Sequence, residues 1–217
     1  MQAYMKSTMP YRGVSNPIAH RLYRELFPAY PVESFDEWHE TILALWEEAE
    51  YREERYAALA IVGWSRYVKF RTLAALPLVQ RLIVSGAWWD LVDGLATHTI
   101  AELLGRHPEP MRDTLLAWSH GADLWLRRTS IICQVSFKRA TDQQLLYACI
   151  RPSLAERDFF LRKAIGWALR EYAKAMPEAV REYVSEHEGE LSALSRREAL
   201  KHLGSRSPIL QFPSASV

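Results

Sequence analysis

Apolar residues recur at intervals of three and four positions along most of the chain, which is the spacing of one face of an α-helix. The sequence contains no runs of β-branched residues that alternate cleanly with polar ones between turn signals, as half-buried strands do. The pattern therefore predicts an all-α fold of about eleven helices joined by short connections.

Local signals indicate where several of these helices start and stop. Residues Ser34–Glu37 and Ser195–Glu198 each have the form of a capping box, in which a serine and a glutamate three positions later satisfy free backbone N–H groups. Gly86 and Gly105 follow apolar runs and suit the left-handed residue that ends a helix. First-turn prolines are expected at Pro17, Pro110 and Pro177.

A repeat is visible in the spacing of similar segments. Arg55–Leu59, Arg127–Ile131 and Arg162–Gly166 each open a long helical pattern, and their first residues are 127 − 55 = 72 and 162 − 127 = 35 positions apart. A unit of about 36 residues, with Trp88–Leu95 as the missing copy, accommodates two helices and a turn. Chance similarity of amphipathic helices is the alternative. Stacked helix pairs predict a right-handed α-solenoid whose concave groove could cradle duplex DNA, although such arrays more often bind proteins.

Length and composition bound the organisation of the chain. With 217 residues, of which 49% are hydrophobic, the chain is long enough for one core, and we expect a single domain over residues 1–204. Residues 205–217 contain serines and prolines without periodicity and are expected to form a flexible tail. The sequence has neither a signal-peptide pattern nor an apolar run of about 20 residues, so we expect a cytoplasmic protein that does not enter the membrane.

The charge of the chain is nearly balanced, with a formal net charge of +1. A polyanionic partner such as DNA would therefore have to meet a locally basic surface. Residues 38–54 are rich in glutamate, whereas the second half of the chain carries clusters of arginine and lysine. Cys133 and Cys149 lack metal-ligand spacing, which predicts buried reduced thiols and neither a metal site nor another cofactor.

One segment stands out from its neighbours. Residues Trp88–Gly94 combine two adjacent tryptophans with two carboxylates at the start of a helix, and Trp89 and Asp93 share a helical face. Arg128 follows Asp93 by 128 − 93 = 35 positions, about one repeat, and Trp167 follows Arg128 by 167 − 128 = 39 positions. The spacing places these four residues on one stripe of the groove.

At these residues the chain resembles the HEAT-repeat DNA alkylation repair glycosylases, the AlkD-like family. The resemblance extends over almost the whole chain and is most specific at Trp88–Asp93 and at the segment GWALREYAK, residues 166–174. It implies an all-α solenoid of HEAT-like repeats that binds double-stranded DNA. It also implies an active site made of Trp89, Asp93, Arg128 and Trp167.

The implied reaction is hydrolysis of the N-glycosidic bond of cationic N3- or N7-alkylated purines, such as 3-methyladenine and 7-methylguanine. Asp93 is expected to stabilise the oxocarbenium-like sugar and to orient the attacking water. Trp89 and Trp167 are expected to pack against the sugar and the cationic base. Arg128 is expected to hold a backbone phosphate through a bidentate contact.

Further contacts to DNA phosphates are expected from basic residues around this stripe. The family commonly has glutamine immediately before the active-site arginine, and this chain has Arg127 there instead. No lysine is placed to form a Schiff base near Asp93, so we expect a monofunctional glycosylase. The candidate DNA-binding residues are Arg127, Lys163, Arg170 and Lys174.

A different class of function stays open at this point. A non-catalytic HEAT-like scaffold that binds DNA or a protein partner would share the repeat pattern, and some relatives of these glycosylases lack the active-site residues. Retention of Trp89, Asp93, Arg128 and Trp167 favours the enzyme. We expect it to act as a monomer.

Overall fold

The computed structural model describes residues 2–204, which form thirteen α-helices and no strand. The helices are α1 (Gln2–Met5), α2 (Asn16–Ala29), α3 (Phe35–Glu47), α4 (Arg52–Gly63), α5 (Leu76–Gly86), α6 (Trp89–Gly94), α7 (Ala101–Arg106), α8 (Pro108–His120), α9 (Leu124–Ile132), α10 (Gln143–Ile150), α11 (Phe159–Ala173), α12 (Pro177–Glu186) and α13 (Ala193–Ala199). The predicted all-α class is confirmed. The predicted tail, residues 205–217, lies outside the described residues.

The helix that begins at Trp89 contains an irregular turn. A π-helical segment, Leu95–Ile100, joins α6 to α7 without a break, so one long amphipathic pattern becomes three consecutive elements. This division accounts for part of the difference between about eleven expected helices and the observed thirteen. Single π-turns inside helices occur frequently at functional sites.

The capping signals had different outcomes. Ser34 caps α3 as predicted, because its Oγ accepts from Glu37 N at 3.1 Å, while the Glu37 carboxylate accepts from Glu33 N at 2.9 Å. The second prediction is wrong, since α13 starts earlier and is capped by Ser192, whose Oγ accepts from Ser195 N at 3.0 Å. Ser195 is buried within α13 and donates its hydroxyl to Arg162 O on α11.

The glycine predictions were also wrong in their details. Gly86 is the last residue of α5, and the left-handed residue is Ala87, with φ of +43°. A Cβ at Gly86 would lie 3.1 Å from Trp46 Cζ2, so close packing explains the glycine. Gly105 lies within α7, which continues to Arg106.

Prolines behave as predicted at helix starts. Pro177 is the first residue of α12, and Pro17 is the second residue of α2. In α8 the first residue is Pro108, and Pro110 follows two positions later, still within the first turn. Pro lacks a backbone N–H, and the first turn of a helix needs none.

The expected repeat appears in the helix starts. Helices α4, α6, α9 and α11 begin at Arg52, Trp89, Leu124 and Phe159, which gives spacings of 89 − 52 = 37, 124 − 89 = 35 and 159 − 124 = 35. This agrees with the predicted unit of about 36 residues. Asp123 caps α9 and Asp158 caps α11 in the same way, each accepting from two backbone N–H groups.

The repeated helices stack in a row. Helix α4 packs on α6, α6 on α9, α9 on α11 and α11 on α13, while α3, α5, α8, α10 and α12 pack against this row. Helix α3 shows how the apolar stripe is used: Trp38, Ile42 and Trp46, four positions apart, are fully buried. This stacking is that of an α-solenoid, and equivalent positions of the stacked helices line one face.

Candidate active site

The carboxylate of Asp93 and the guanidinium of Arg128 form a bidentate ion pair between adjacent helices. Each residue is the fifth of its helix, in α6 and α9. Arg128 Nε donates to Asp93 Oδ1 at 2.8 Å and Nη2 donates to Oδ2 at 2.7 Å. The Arg128 side chain is 6% exposed and that of Asp93 is 19% exposed. The predicted spacing of one repeat thus brings the two side chains into direct contact.

Arg128 makes a third hydrogen bond, to the next helix of the row. Its Nη1 donates to Phe160 O at 2.6 Å, near the start of α11. The guanidinium therefore joins α6, α9 and α11. Of its five N–H groups three are engaged inside the protein, and the expected bidentate contact with a DNA phosphate stays a prediction. The geometry favours a role in holding the Asp93 carboxylate.

The two tryptophans of the predicted site differ in their surroundings. Trp89 opens α6 and is 38% exposed, so its ring is available to a ligand beside Asp93. Trp167 is half-buried in the middle of α11. Thr97 links the two regions: its Oγ1 donates to Asp93 O at 2.7 Å, and it lines a cleft together with Trp167.

An aromatic cluster lies beside Trp89 and Arg128 and was missed in the sequence. The Phe160 ring centroid lies 5.2 Å from that of Trp88 and 5.0 Å from that of Trp125. Phe160 is also the residue whose carbonyl accepts from Arg128. Offset and tilted ring pairs of this kind stabilise packing beyond the area they bury. The residue that accepts from Arg128 is therefore also packed against two tryptophan rings.

A second buried ion pair holds α6 from the opposite side. Arg52 on α4 donates through Nη2 to Asp90 Oδ1 at 2.5 Å and through Nε to Oδ2 at 3.2 Å. Tyr56 OH donates to Asp90 Oδ2 at 2.5 Å, and Tyr11 OH lies 3.2 Å from Tyr56 OH. Burial and the neighbouring Asp90 raise the pKa of Tyr56 above its ordinary value. The sequence signal was present, since Arg52 and Asp90 are about one repeat apart.

The expected phosphate ligands are mostly engaged with protein groups. Arg127 is 14% exposed and donates to Glu156 at 2.9 Å, to Ser153 Oγ at 2.9 Å and to Pro152 O at 3.2 Å. Those contacts join α9 to the segment ahead of α11. Arg127 is thus oriented towards protein groups, and its contact with a DNA phosphate stays a prediction.

Two further candidates share one carboxylate. Arg170 and Lys163, both on α11, form ion pairs with Glu198 on α13. Burial opposes ionisation of Glu198, but the hydrogen bond from Lys163 and the charges of both cations outweigh it and lower its pKa. Lys174 pairs with Glu171 at 2.6 Å and is 54% exposed. Lys163, 38% exposed, and Lys174 present the most accessible charges of the predicted set.

Other expectations concern metals, thiols and membranes. Within residues 2–204, no group of three or more His, Cys, Asp or Glu side chains is placed to hold a metal ion. Cys133 and Cys149 are both buried as predicted, and burial raises the pKa of the Cys149 thiol to about 12. None of the helices in the described part of the chain is long and apolar enough to cross a membrane.

Known proteins resemble this chain in both sequence and structure. A sequence model of the DNA alkylation repair enzyme family matches residues 1–203. A solved structure described as a predicted DNA alkylation repair enzyme from Enterococcus faecalis superimposes with a TM-score of 0.85 at 27% sequence identity, covering 94% of this chain and 93% of that one. No curated protein sequence matches the chain. The chain belongs to the DNA alkylation repair enzyme family.

Proposed function

We propose that this family member is a monofunctional DNA glycosylase that hydrolyses the N-glycosidic bond of cationic N3- or N7-alkylated purines in duplex DNA. The observation that carries the proposal is the Asp93 carboxylate, fixed by two hydrogen bonds from Arg128 beside the exposed ring of Trp89. The protein acts as a monomer and needs no cofactor.

The substrate class follows from what the site offers to the leaving base. A purine alkylated at N3 or N7 already carries a positive charge. When its bond to C1′ breaks, the electron pair moves to the base, which leaves as a neutral molecule. That step requires no general acid. The proposed mechanism accordingly assigns this role to none of the groups around Asp93.

The sugar must also be stabilised, because it becomes oxocarbenium-like and positively charged as the base departs. A fixed carboxylate beside it stabilises the developing charge. At ~4 Å and an effective dielectric constant of ~20, the attraction is about 4 kcal/mol. That corresponds to roughly three orders of magnitude in rate. The charge of Arg128 opposes part of this attraction, so the figure is an upper bound.

Asp93 also has capacity left for the attacking water. Each carboxylate oxygen has two lone pairs, and Arg128 occupies one on each oxygen. The side chain is 19% exposed, so a free lone pair can accept a hydrogen bond from water. The water oxygen then adds to C1′ and its proton passes to Asp93 or to solvent, which leaves an abasic site.

Arg128 is a positioning residue in this proposal. Its three hydrogen bonds to Asp93 and Phe160 fix the carboxylate before substrate arrives. A preorganised charge costs no reorganisation at the moment of reaction. Trp89 and Trp167 contribute indole faces, each worth about 0.5–2 kcal/mol towards a cation, which favours charged lesions over normal bases.

The proposal is tested by incubating the native chain with duplex DNA treated with a methylating agent and measuring free bases by chromatography. We expect release of 3-methyladenine or 7-methylguanine with an equal number of abasic sites, and strands that break only after alkali. Binding of the DNA without any base release would support a non-catalytic scaffold instead. Strand breaks without alkali would contradict a monofunctional enzyme.

A further inference from the structure

Two basic residues flank Trp167 on one face of α11. Lys163, Trp167 and Arg170 are four and three positions apart, so their side chains share that face. Side chains of a helix lean towards its N-terminus, which brings the Trp167 ring over the turn that carries Lys163. A flexible ammonium group therefore lies within reach of the indole that is proposed to receive a cation.

A basic side chain close to an aromatic ring can lie over the face of that ring, because the face attracts cations. The protein forms such contacts elsewhere. The guanidinium of Arg55 lies 4.8 Å from the centroid of the Trp46 ring, and Lys69 Nζ lies 4.7 Å from that of Phe70. Over the Trp167 ring, however, no lysine or arginine of residues 2–204 is found. The ring is thus left open to a ligand.

Glu198 on α13 holds both basic side chains. Its Oε1 lies 3.2 Å from Lys163 Nζ, and its Oε2 accepts from Arg170 Nη1. Arg170 has a second carboxylate near it, since its Nε lies 3.7 Å from Glu171. Lys163 forms no other ion pair within the described part of the chain. Lys163 therefore depends on Glu198 for a partner of opposite charge.

Close packing of α13 on α11 fixes the position of this carboxylate. A Cβ added to Gly166, the residue before Trp167, would lie 2.6 Å from Glu198 Cβ. Ser195, one turn earlier on α13, donates its hydroxyl to Arg162 O at 2.9 Å in the same contact. The Glu198 side chain is only 16% exposed. The carboxylate is therefore held beside Trp167 by the backbone of two packed helices.

We propose that Glu198 is a positioning residue that sets the preference of the candidate site for cations. By binding Lys163 it keeps the Trp167 ring clear of the protein's own positive charge, so that the ring can receive the cationic base or the oxocarbenium-like sugar. The inference rests on the proposed function, because it takes a cationic group beside Trp167 as the ligand. Glu198 itself contacts neither the substrate nor the attacking water.

The test compares the affinities for two labelled DNA duplexes from which no base can be released. In one duplex a protonated pyrrolidine replaces the sugar at the lesion position, and in the other a neutral tetrahydrofuran does. The ratio of the two affinities measures the preference for positive charge, and changes in phosphate contacts cancel in this ratio. Fluorescence anisotropy gives both affinities, and thermal melts show whether each variant is folded.

Glu198→Gln should lower the affinity ratio by about 2-fold to 30-fold, the range that corresponds to one cation–π contact. In the double variant Glu198→Gln with Lys163→Gln the competing ammonium group is gone, and the ratio should return towards the native value. Glu198→Asp keeps the charge with a shorter reach. It should lower the ratio to a smaller extent, and it replaces Glu198→Gln if that variant does not fold.

The control variant is Glu188→Gln. It removes a carboxylate that is 74% exposed and pairs with Arg196 on α13, without a contact to Lys163. The control should keep the native affinity ratio. A native ratio in folded Glu198→Gln would overturn the proposal. A lowered ratio that Lys163→Gln does not restore would also overturn it, because Glu198 would then act through packing alone.

The two proposals fail separately. If the native chain releases no methylated base but Glu198→Gln lowers the affinity ratio and Lys163→Gln restores it, the glycosylase activity is refuted and the role of Glu198 stands. If the native chain excises and folded Glu198→Gln keeps the native ratio, the role of Glu198 is refuted and the activity stands.

Discussion

Asp90 and Asp93 are three positions apart on α6 and form buried ion pairs with opposite neighbours. Asp90 binds Arg52 on α4, and Asp93 binds Arg128 on α9. The six-residue helix that carries the proposed catalytic carboxylate is therefore fastened on both sides. This relationship supplies a matched pair of substitutions, since only one of the two carboxylates belongs to the proposed reaction.

Replacing Arg128 by Gln should destabilise the protein markedly. Removing one partner of a buried ion pair typically lowers the free energy of unfolding by about 3–5 kcal/mol, because a buried charge is left uncompensated. The 19% exposure of Asp93 places the expected loss towards the lower end. Denaturant unfolding followed by circular dichroism gives the value.

The comparison variant is Arg81→Gln, whose partner Glu47 and own side chain are largely exposed. An exposed pair contributes about 0–1 kcal/mol. If Arg128→Gln lowered the free energy of unfolding by as little as Arg81→Gln, the bidentate contact with Asp93 would contribute little to stability.

Gly166→Ala should disturb the packing of α11 on α13. A Cβ at this position would lie 2.6 Å from Glu198 Cβ and 3.1 Å from Ser195 O, so the two helices would have to separate. Gly105 provides the contrast, because it lies in α7 and a Cβ added there would meet no atom within 4 Å. Gly105→Ala should stabilise the protein by about 0.5–1 kcal/mol through helix propensity. Thermal melts that shift in the same direction for both variants would contradict this interpretation.

The repeat spacing in the sequence predicted the row of helices, but not all of the contacts between the helices. Spacing of about one repeat correctly implied that Asp93 and Arg128 lie side by side. Whether an arginine at that position turns to a carboxylate or to a phosphate depends on the distance between two helices, which no local pattern encodes. The hydrogen bond from Arg128 to Phe160 O depends on where a third helix, α11, begins, and no local sequence pattern predicts it.

The wrong boundary predictions have similar causes. Ser195 looked like a cap because Glu198 follows it, yet both side chains are used to bind α11, through Arg162 O and through Lys163 and Arg170. Gly86 looked like a left-handed terminus, whereas its missing side chain makes room for Trp46. In each instance tertiary packing decided the role of a residue whose local signal pointed elsewhere.

Arg127→Ala should lower the free energy of unfolding but leave the salt dependence of DNA binding unchanged. The side chain donates hydrogen bonds to Glu156, Ser153 and Pro152, and leaving such partners unsatisfied costs about 1–3 kcal/mol. Lys174→Gln should leave stability near the native value. It should reduce the slope of log K for DNA binding against log salt by about 0.9. The idea fails if Arg127→Ala lowers the slope while its unfolding free energy stays at the native value.

Trp89→Ala should reduce excision of cationic purines by about 2-fold to 30-fold, which corresponds to the 0.5–2 kcal/mol of a cation–π contact. The effect should be smaller for release of neutral bases. Tyr30→Ala removes another aromatic ring that is 75% exposed and serves as the control. Rates are compared in single turnover on methylated duplex DNA. An equal loss in both variants would point to a general effect of removing surface aromatics.

The catalytic role of Asp93 is tested most sharply by comparing Asp93→Asn with Asp90→Asn and the native chain. Single-turnover release of 7-methylguanine and 3-methyladenine from methylated duplex DNA is measured together with the melting temperature and the affinity for an abasic-site duplex. We expect Asp93→Asn to bind DNA but to lose activity by up to roughly three orders of magnitude, while Asp90→Asn, if still folded, keeps most of it. Near-native release by a folded Asp93→Asn variant would contradict a catalytic role for this carboxylate.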